Sequence, residues 1–126
     1  MDARSLDDAL ALRPDLAGPL ADLVATLRAG PVEAELLDGC DALIRHRIGV
    51  PVRSAVPDVG DASLDDRTRA VLVMAEQFVI DPHGIDVAMR DSVLDHCSLA
   101  ELATLVQAFA VFDARARMEA VLVEGE

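Results

Sequence analysis

A chain of 126 residues has room for one domain, 1–126, and buries roughly two-thirds of its unfolded surface on folding. Its formal net charge of −12 argues against nucleic acid and against an anionic membrane surface as partners, since both need a basic face. Although 52% of residues are apolar, only three are Phe and none is Tyr or Trp. The core must therefore be built from Leu, Val, Ala and Ile, of which Ala and Leu favour helix.

Ser5 with Asp8 three residues later forms a capping box that opens a short helix through Leu12, which Arg13, Pro14 and Asp15 break. A second helix is predicted from about Asp15 to Arg28, with Leu16, Leu20, Leu23, Val24 and Leu27 on one face. Pro19 suits only a first turn, which would move the start towards Gly18. Ala29, Gly30 and Pro31 make the turn into the helix around which the chain is organised. Pro31 pre-sets its first turn, Glu33 and Glu35 suit its positive end, and Gly49 offers a left-handed stop. Leu36, Cys40, Leu43 and Ile44 form its apolar stripe, and Arg45 and Arg47 sit in its last turns.

From Val50 to Asp61 helical period is lost among Pro51, Pro57 and Gly60, which predicts an ordered loop. Ser63 to Asp66 reads as a second capping box. The helix it opens, reaching Ile80, is apolar almost all round and is expected to be the central, most buried one. Asp81, Pro82, His83 and Gly84 end it. A shorter helix follows from about Ile85 to His96. Ser98 with Glu101 then caps a last helix to about Val123, with Leu102, Leu105, Val106, Phe109 and Phe112 inward. No strand pair is indicated. The expected fold is all-α, a single-domain bundle of about six helices.

The acidic N-terminus, with Asp2, Asp7 and Asp8, lacks a signal-peptide pattern, and no run approaches the ~18 apolar residues of a membrane span. Cys40 and Cys97 have no metal spacing and read as reduced, buried thiols. A cytoplasmic protein is expected. All eleven cationic residues are Arg, which reads as a base-composition bias.

Three candidates stand out for acid–base chemistry. Glu76 lies in an apolar run, where burial would raise its pKa and make it an acid or base near neutrality; the alternative is a structural ion pair with an Arg. His83, in a turn, can present its ring to a pocket or bond a local carbonyl. His46, among arginines at a helix end, is more simply a C-terminal charge. His96 and Cys97 are neighbours whose side chains point about 100° apart, so they form no thiol–imidazole pair on a helix. No phosphate loop, zinc spacing or Ser-His-Asp signature occurs, so neither a metal nor a cofactor is implied; metal ligation by His83 with Asp81 and Glu76 is left open with no motif behind it.

Three stretches carry a family resemblance. The run ELLDGCDALIRHRIG from Glu35 to Gly49 resembles the helix leading into the active site of carboxymuconolactone decarboxylase and AhpD-like alkylhydroperoxidase proteins. The run RAVLVMAEQFVIDPHG from Arg69 to Gly84 is similar to their second core helix and the turn after it. The run LAELATLVQAFAVFD from Leu99 to Asp113 resembles their closing helix. The resemblance spans roughly residues 12–122, and its most specific part is the second stretch.

In redox-active members of that family a Glu opens the helix, a Cys-x-x-Cys pair follows it, and a His stands four residues further on. Anchored on Gly49, these positions fall on Asp38, on Val50 and Arg53, and on Pro57. Only the acid is kept, so the resemblance implies the family fold without thiol peroxidase activity. It also implies a homo-oligomer, from dimer to hexamer.

Function is left open among three possibilities. The first is decarboxylase-, lyase- or isomerase-type acid–base chemistry on a small organic acid or carbonyl compound, without a cofactor. Asp38, Glu76 and His83 would be its acid–base candidates, and Arg45, Arg47 or Arg53 would receive the substrate carboxylate. The second is a non-catalytic binding or assembly subunit with a decayed site. The third is a displaced redox site at Cys40 or Cys97. A pocket that sets an acid beside an Arg separates the first from the second.

Overall fold

A computed structural model describes residues 5–123, so Asp2 of the acidic N-terminus lies outside the described residues. Six α-helices and one 3-10 turn account for the regular structure, and no strand occurs among the described residues. The all-α fold is as the composition and periodicity indicate.

The helix α1, Leu6–Leu10, starts where Ser5 Oγ accepts the Asp8 N–H at 3.1 Å, and it places Leu6 in the interior. The helix α2, Pro14–Arg28, keeps Pro19 inside it, so it does not start near Gly18. Pro19 is on the exposed face, where water can satisfy the carbonyl that its missing N–H leaves free. Of the predicted apolar face only Leu27 is buried; Leu16 and Leu23 are exposed.

The helix α3 runs Ala34–Ile48, opening three residues after Pro31, with Val32 drawn into the core ahead of it. Gly49 ends it with φ 96°, a left-handed conformation that a side chain would strain. The helix α4, Asp66–Ile80, is capped by Asp65, whose Oδ1 accepts the Thr68 N–H at 2.7 Å. Ser63 is not its cap: Ser63 donates through both its N–H and its hydroxyl to Asp61 Oδ1, closing the preceding loop. After the 3-10 turn Pro82–Gly84, the helix α5 is shorter than its pattern suggested, Val87–Leu94, because Asp86 rather than Ile85 supplies its cap. The helix α6, Leu99–Leu122, opens with a complete capping box. Ser98 Oγ accepts the Glu101 N–H, and Glu101 Oε1 accepts the Ser98 N–H.

The middle of the bundle is α3, with α6 packed on one side and α4 on the other; α5 backs α4, and α1 and α2 lie against α6. This corrects the expectation that α4 is the most enclosed helix. Ile80 of α4 is 64% exposed, whereas α3 buries Leu36, Leu37, Cys40, Ala42, Leu43 and Ile44. An apolar circumference identifies a buried helix only if neighbours surround it, and a bundle this small has few to give. Leu37, Ile44, Leu72, Met74, Leu105, Phe109 and Phe112 fill the centre, and the Phe78 and Phe109 rings meet tilted at 55° with centroids 6.0 Å apart.

Two arginines order the 50–61 loop. Arg45 Nε donates to the Pro51 carbonyl at 2.8 Å, and Arg69 Nη2 donates to the carbonyls of Asp61 and Leu64. Val50 is buried beneath this loop, and Val56 and Val59 pack on the core from it. Its first residues are thereby held over one end of the α3–α6 seam. Among the described residues no helix is long and apolar enough to cross a membrane.

Candidate active site

Opposite charges recur at four-residue spacing on both helices of the seam, Asp41 and Arg45 on α3, and Arg115 and Glu119 on α6. Four residues is about one helical turn, so each pair shares a face. The two faces meet. Arg45 Nη2 forms an ion pair with Glu119 Oε2, with both side chains mostly covered. Asp41 lies close enough to Arg45, Arg115 and Arg28 to feel the field of each.

A cavity of about 320 Å³ opens at this quartet. Beyond Asp41, Arg45, Arg115 and Glu119, its wall is completed by Asp38 on α3, by Ser5, Leu6 and Asp7 at the start of α1, and by Val52, Arg53 and Ser54 of the loop. The volume suits a molecule of few heavy atoms, and the wall is polar with convergent charged groups, the usual make-up of a small-ligand site.

Two groups in this cavity are not at rest. Burial pushes the Asp41 carboxyl above its ordinary value, against the pull of Arg45, Arg115 and Arg28. Arg115 Nε is buried with no hydrogen-bond partner among the described residues. A buried donor left unmade costs about 1–3 kcal/mol, more for a charged group. An acid with a raised pKa beside a guanidinium donor without an acceptor is the arrangement that carboxylate recognition and proton transfer both need.

Of the six residues singled out in the sequence, three line this cavity: Asp38, Arg45 and Arg53. Asp38 is engaged by Arg28 of α2, and Arg45 by Glu119 and the Pro51 carbonyl, whereas Arg53 stands exposed at the mouth. The other three lie elsewhere. Glu76 and Arg47 pair with each other across α4 and α3, with Nη2 2.5 Å from Oε2. The Glu76 side chain is 27% exposed, so the deep burial expected for it is not found. His83 is almost fully exposed in its turn, with Nδ1 3.2 Å from Asp81 Oδ1. Asp41, Arg115 and Glu119 escaped the sequence reading. The signal that could have found them is the pair of opposite charges repeated at four-residue spacing on two helices.

A second cavity, about 570 Å³, lies between the loop at Ser54 to Pro57, α3 and the start of α4. Its charged lining is entirely acidic, Glu33, Glu35, Asp38 and Asp65, and so offers no cation to a substrate. Among the described residues, no group of three or more His, Cys, Asp or Glu is placed to hold a metal ion. Cys40 is sealed in the core, its thiol pushed up to about 12 by burial. Burial also raises the Cys97 thiol, in spite of Arg67 nearby.

No family model matches this chain, and no curated protein matches it.

Proposed function

We propose that the α3–α6 cavity binds a small organic acid and carries out cofactor-free acid–base chemistry on it, of the decarboxylase, lyase or isomerase type. The observation that carries this is that one cavity wall holds Asp41 and Arg115, whose guanidinium lacks an acceptor at Nε among the described residues. A substrate carboxylate pairs with Arg115 at the cavity wall, and Arg53 stands at the mouth to attract the anion. Asp41 gives the proton to the adjacent carbon, because a carboxyl with a raised pKa is the better acid there. Asp38, Arg45 and Glu119 hold the wall in shape through their ion pairs.

Ligand-observed NMR with small carboxylic acids tests the binding, and incorporation of solvent deuterium at the carbon next to the carboxylate tests the chemistry. The wild-type chain should bind and exchange. Arg115→Met should keep its helical circular dichroism and lose binding, and Asp41→Asn should bind without exchange. Unaltered binding by Arg115→Met would overturn the site.

Kinship with the carboxymuconolactone decarboxylase and AhpD-like proteins is part of the same proposal. Its support is that the three resembling stretches fall on α3, on α4 with its following turn, and on α6. Val50 and Arg53 stand at the cysteine positions, which supports a member without peroxidase activity. Two buried, unpaired thiols favour a reducing compartment such as the cytoplasm.

A non-catalytic assembly subunit is the second reading, and a specific observation favours assembly in either case. Leu16 and Leu23, 51% and 43% exposed, share one face of α2, and Ile80 and Val87 flank the 3-10 turn exposed as well. We propose a homo-oligomer that covers such side chains. Light scattering at micromolar concentration should exceed the monomer mass.

A further inference from the structure

The charge inventory of the α3–α6 cavity constrains how an anion can enter it. Among the described residues, four carboxylates, on Asp7, Asp38, Asp41 and Glu119, line it with three guanidinium groups, on Arg45, Arg53 and Arg115. Two of the carboxylates are already committed, Glu119 to Arg45 within the cavity and Asp38 to Arg28 from α2. Asp41 is then drawn on by Arg45 first and by Arg115 after it. An incoming carboxylate that pairs with Arg115 at the cavity wall brings a second negative charge near Asp41, in a setting partly withdrawn from water. A like charge brought close to a carboxylate favours its protonated form, the more so away from water.

We propose that the cavity takes a monocarboxylate and that its binding is coupled to uptake of one proton by Asp41. This rests on the cavity being a carboxylate site and adds its ligand class and its regulation. A dicarboxylate is disfavoured, because among the described lining residues the second charge would meet Asp7 and Asp38 with Arg53 alone uncommitted. The raised Asp41 carboxyl points the same way, since burial already draws it towards its neutral form. The coupling makes the site a proton-sensitive binder whose affinity rises as pH falls.

Isothermal titration calorimetry on the full chain tests this with pyruvate, benzoate and succinate from about pH 5 to about pH 8, in buffers of different ionisation enthalpy. Pyruvate or benzoate should bind with about one proton taken up. Its Kd should weaken about tenfold per pH unit on the alkaline side of the Asp41 titration, and succinate should bind more weakly. Asp41→Asn, which mimics the protonated side chain, should bind the same monocarboxylate with a Kd that no longer changes with pH. Binding without proton uptake would overturn the coupling and leave the carboxylate site standing. Proton uptake that persists in Asp41→Asn would place the proton elsewhere and overturn the assignment. Tighter binding of succinate than of either monocarboxylate would overturn the ligand class. Absence of binding by all three probes at pH 5 would overturn the site and the coupling together.

Discussion

Arg47 of α3 reaches Glu76 of α4 with both Nη2 and Nε on a single carboxylate oxygen, at 2.5 and 3.1 Å. The two residues that sequence reasoning placed as substrate clamp and poised acid thus occupy each other at the rim of the α3–α4 contact. The side chains are 45% and 27% exposed, so solvent screens the pair and its contribution is small. Glu76→Gln should lower stability by no more than about 1 kcal/mol in chemical denaturation, with ligand binding at the α3–α6 cavity unchanged. A loss of roughly 3 kcal/mol would mean that the pair is effectively buried.

Arg67 joins three helix starts. From α4 it pairs with Glu33, the N-cap of α3, and with Glu101 in the first turn of α6, at 2.7 Å from Oε2. Its hydrogen bond holds the Glu33 carboxyl below the ordinary value; the Ser98 N–H and then Arg67 do the same for Glu101. A carboxyl lowered in the folded state stabilises fully above its unfolded value, about 4.3, and that contribution is lost as pH falls through the folded-state value. Arg67→Met should therefore cost about 1 kcal/mol at pH 7 and flatten the acid limb of stability against pH below about 4.5. Parallel acid limbs in urea titrations would remove Arg67 from this role.

Neither thiol is available as a nucleophile. With the Cys40 thiol pushed up to about 12, roughly one molecule in 100,000 carries its thiolate at pH 7. Cys97 is raised by burial too. Ellman's reagent should react with both cysteines only after unfolding, and peroxide consumption with a dithiol donor should match a buffer blank. Stoichiometric labelling of the folded chain within minutes would contradict this.

Gly49 closes α3 at φ 96° with open space where a Cβ would project, so a substitution there meets backbone strain rather than a clash. Gly49→Ala should destabilise by about 1–2 kcal/mol. The loop that Arg45 anchors at Pro51 begins at this residue, so the same variant should also weaken ligand binding at Val52, Arg53 and Ser54. A neutral effect on the melting temperature would show that the loop relaxes freely.

The sequence by itself determined the helices and most of their ends. The Ser5 cap, the Ser98–Glu101 box, the Gly49 stop and the break at Pro82 are local interactions, complete within a few residues and therefore legible along the chain. Local rules erred where two local partners competed: Ser63 bonded Asp61 and left the α4 cap to Asp65. Which charges meet was decided by the tertiary structure alone. Arg45 and Glu119 are 74 residues apart, and Arg47 and Glu76 are 29 apart. Their encounters depend on how each helix is rotated about its own axis against its neighbour. Periodicity gives the width of an apolar stripe but not which polar flank of that stripe will face another helix. Arg45 and Arg47, two residues apart on α3, point about 200° apart around it, and so one faces α6 and the α3–α6 cavity while the other faces α4.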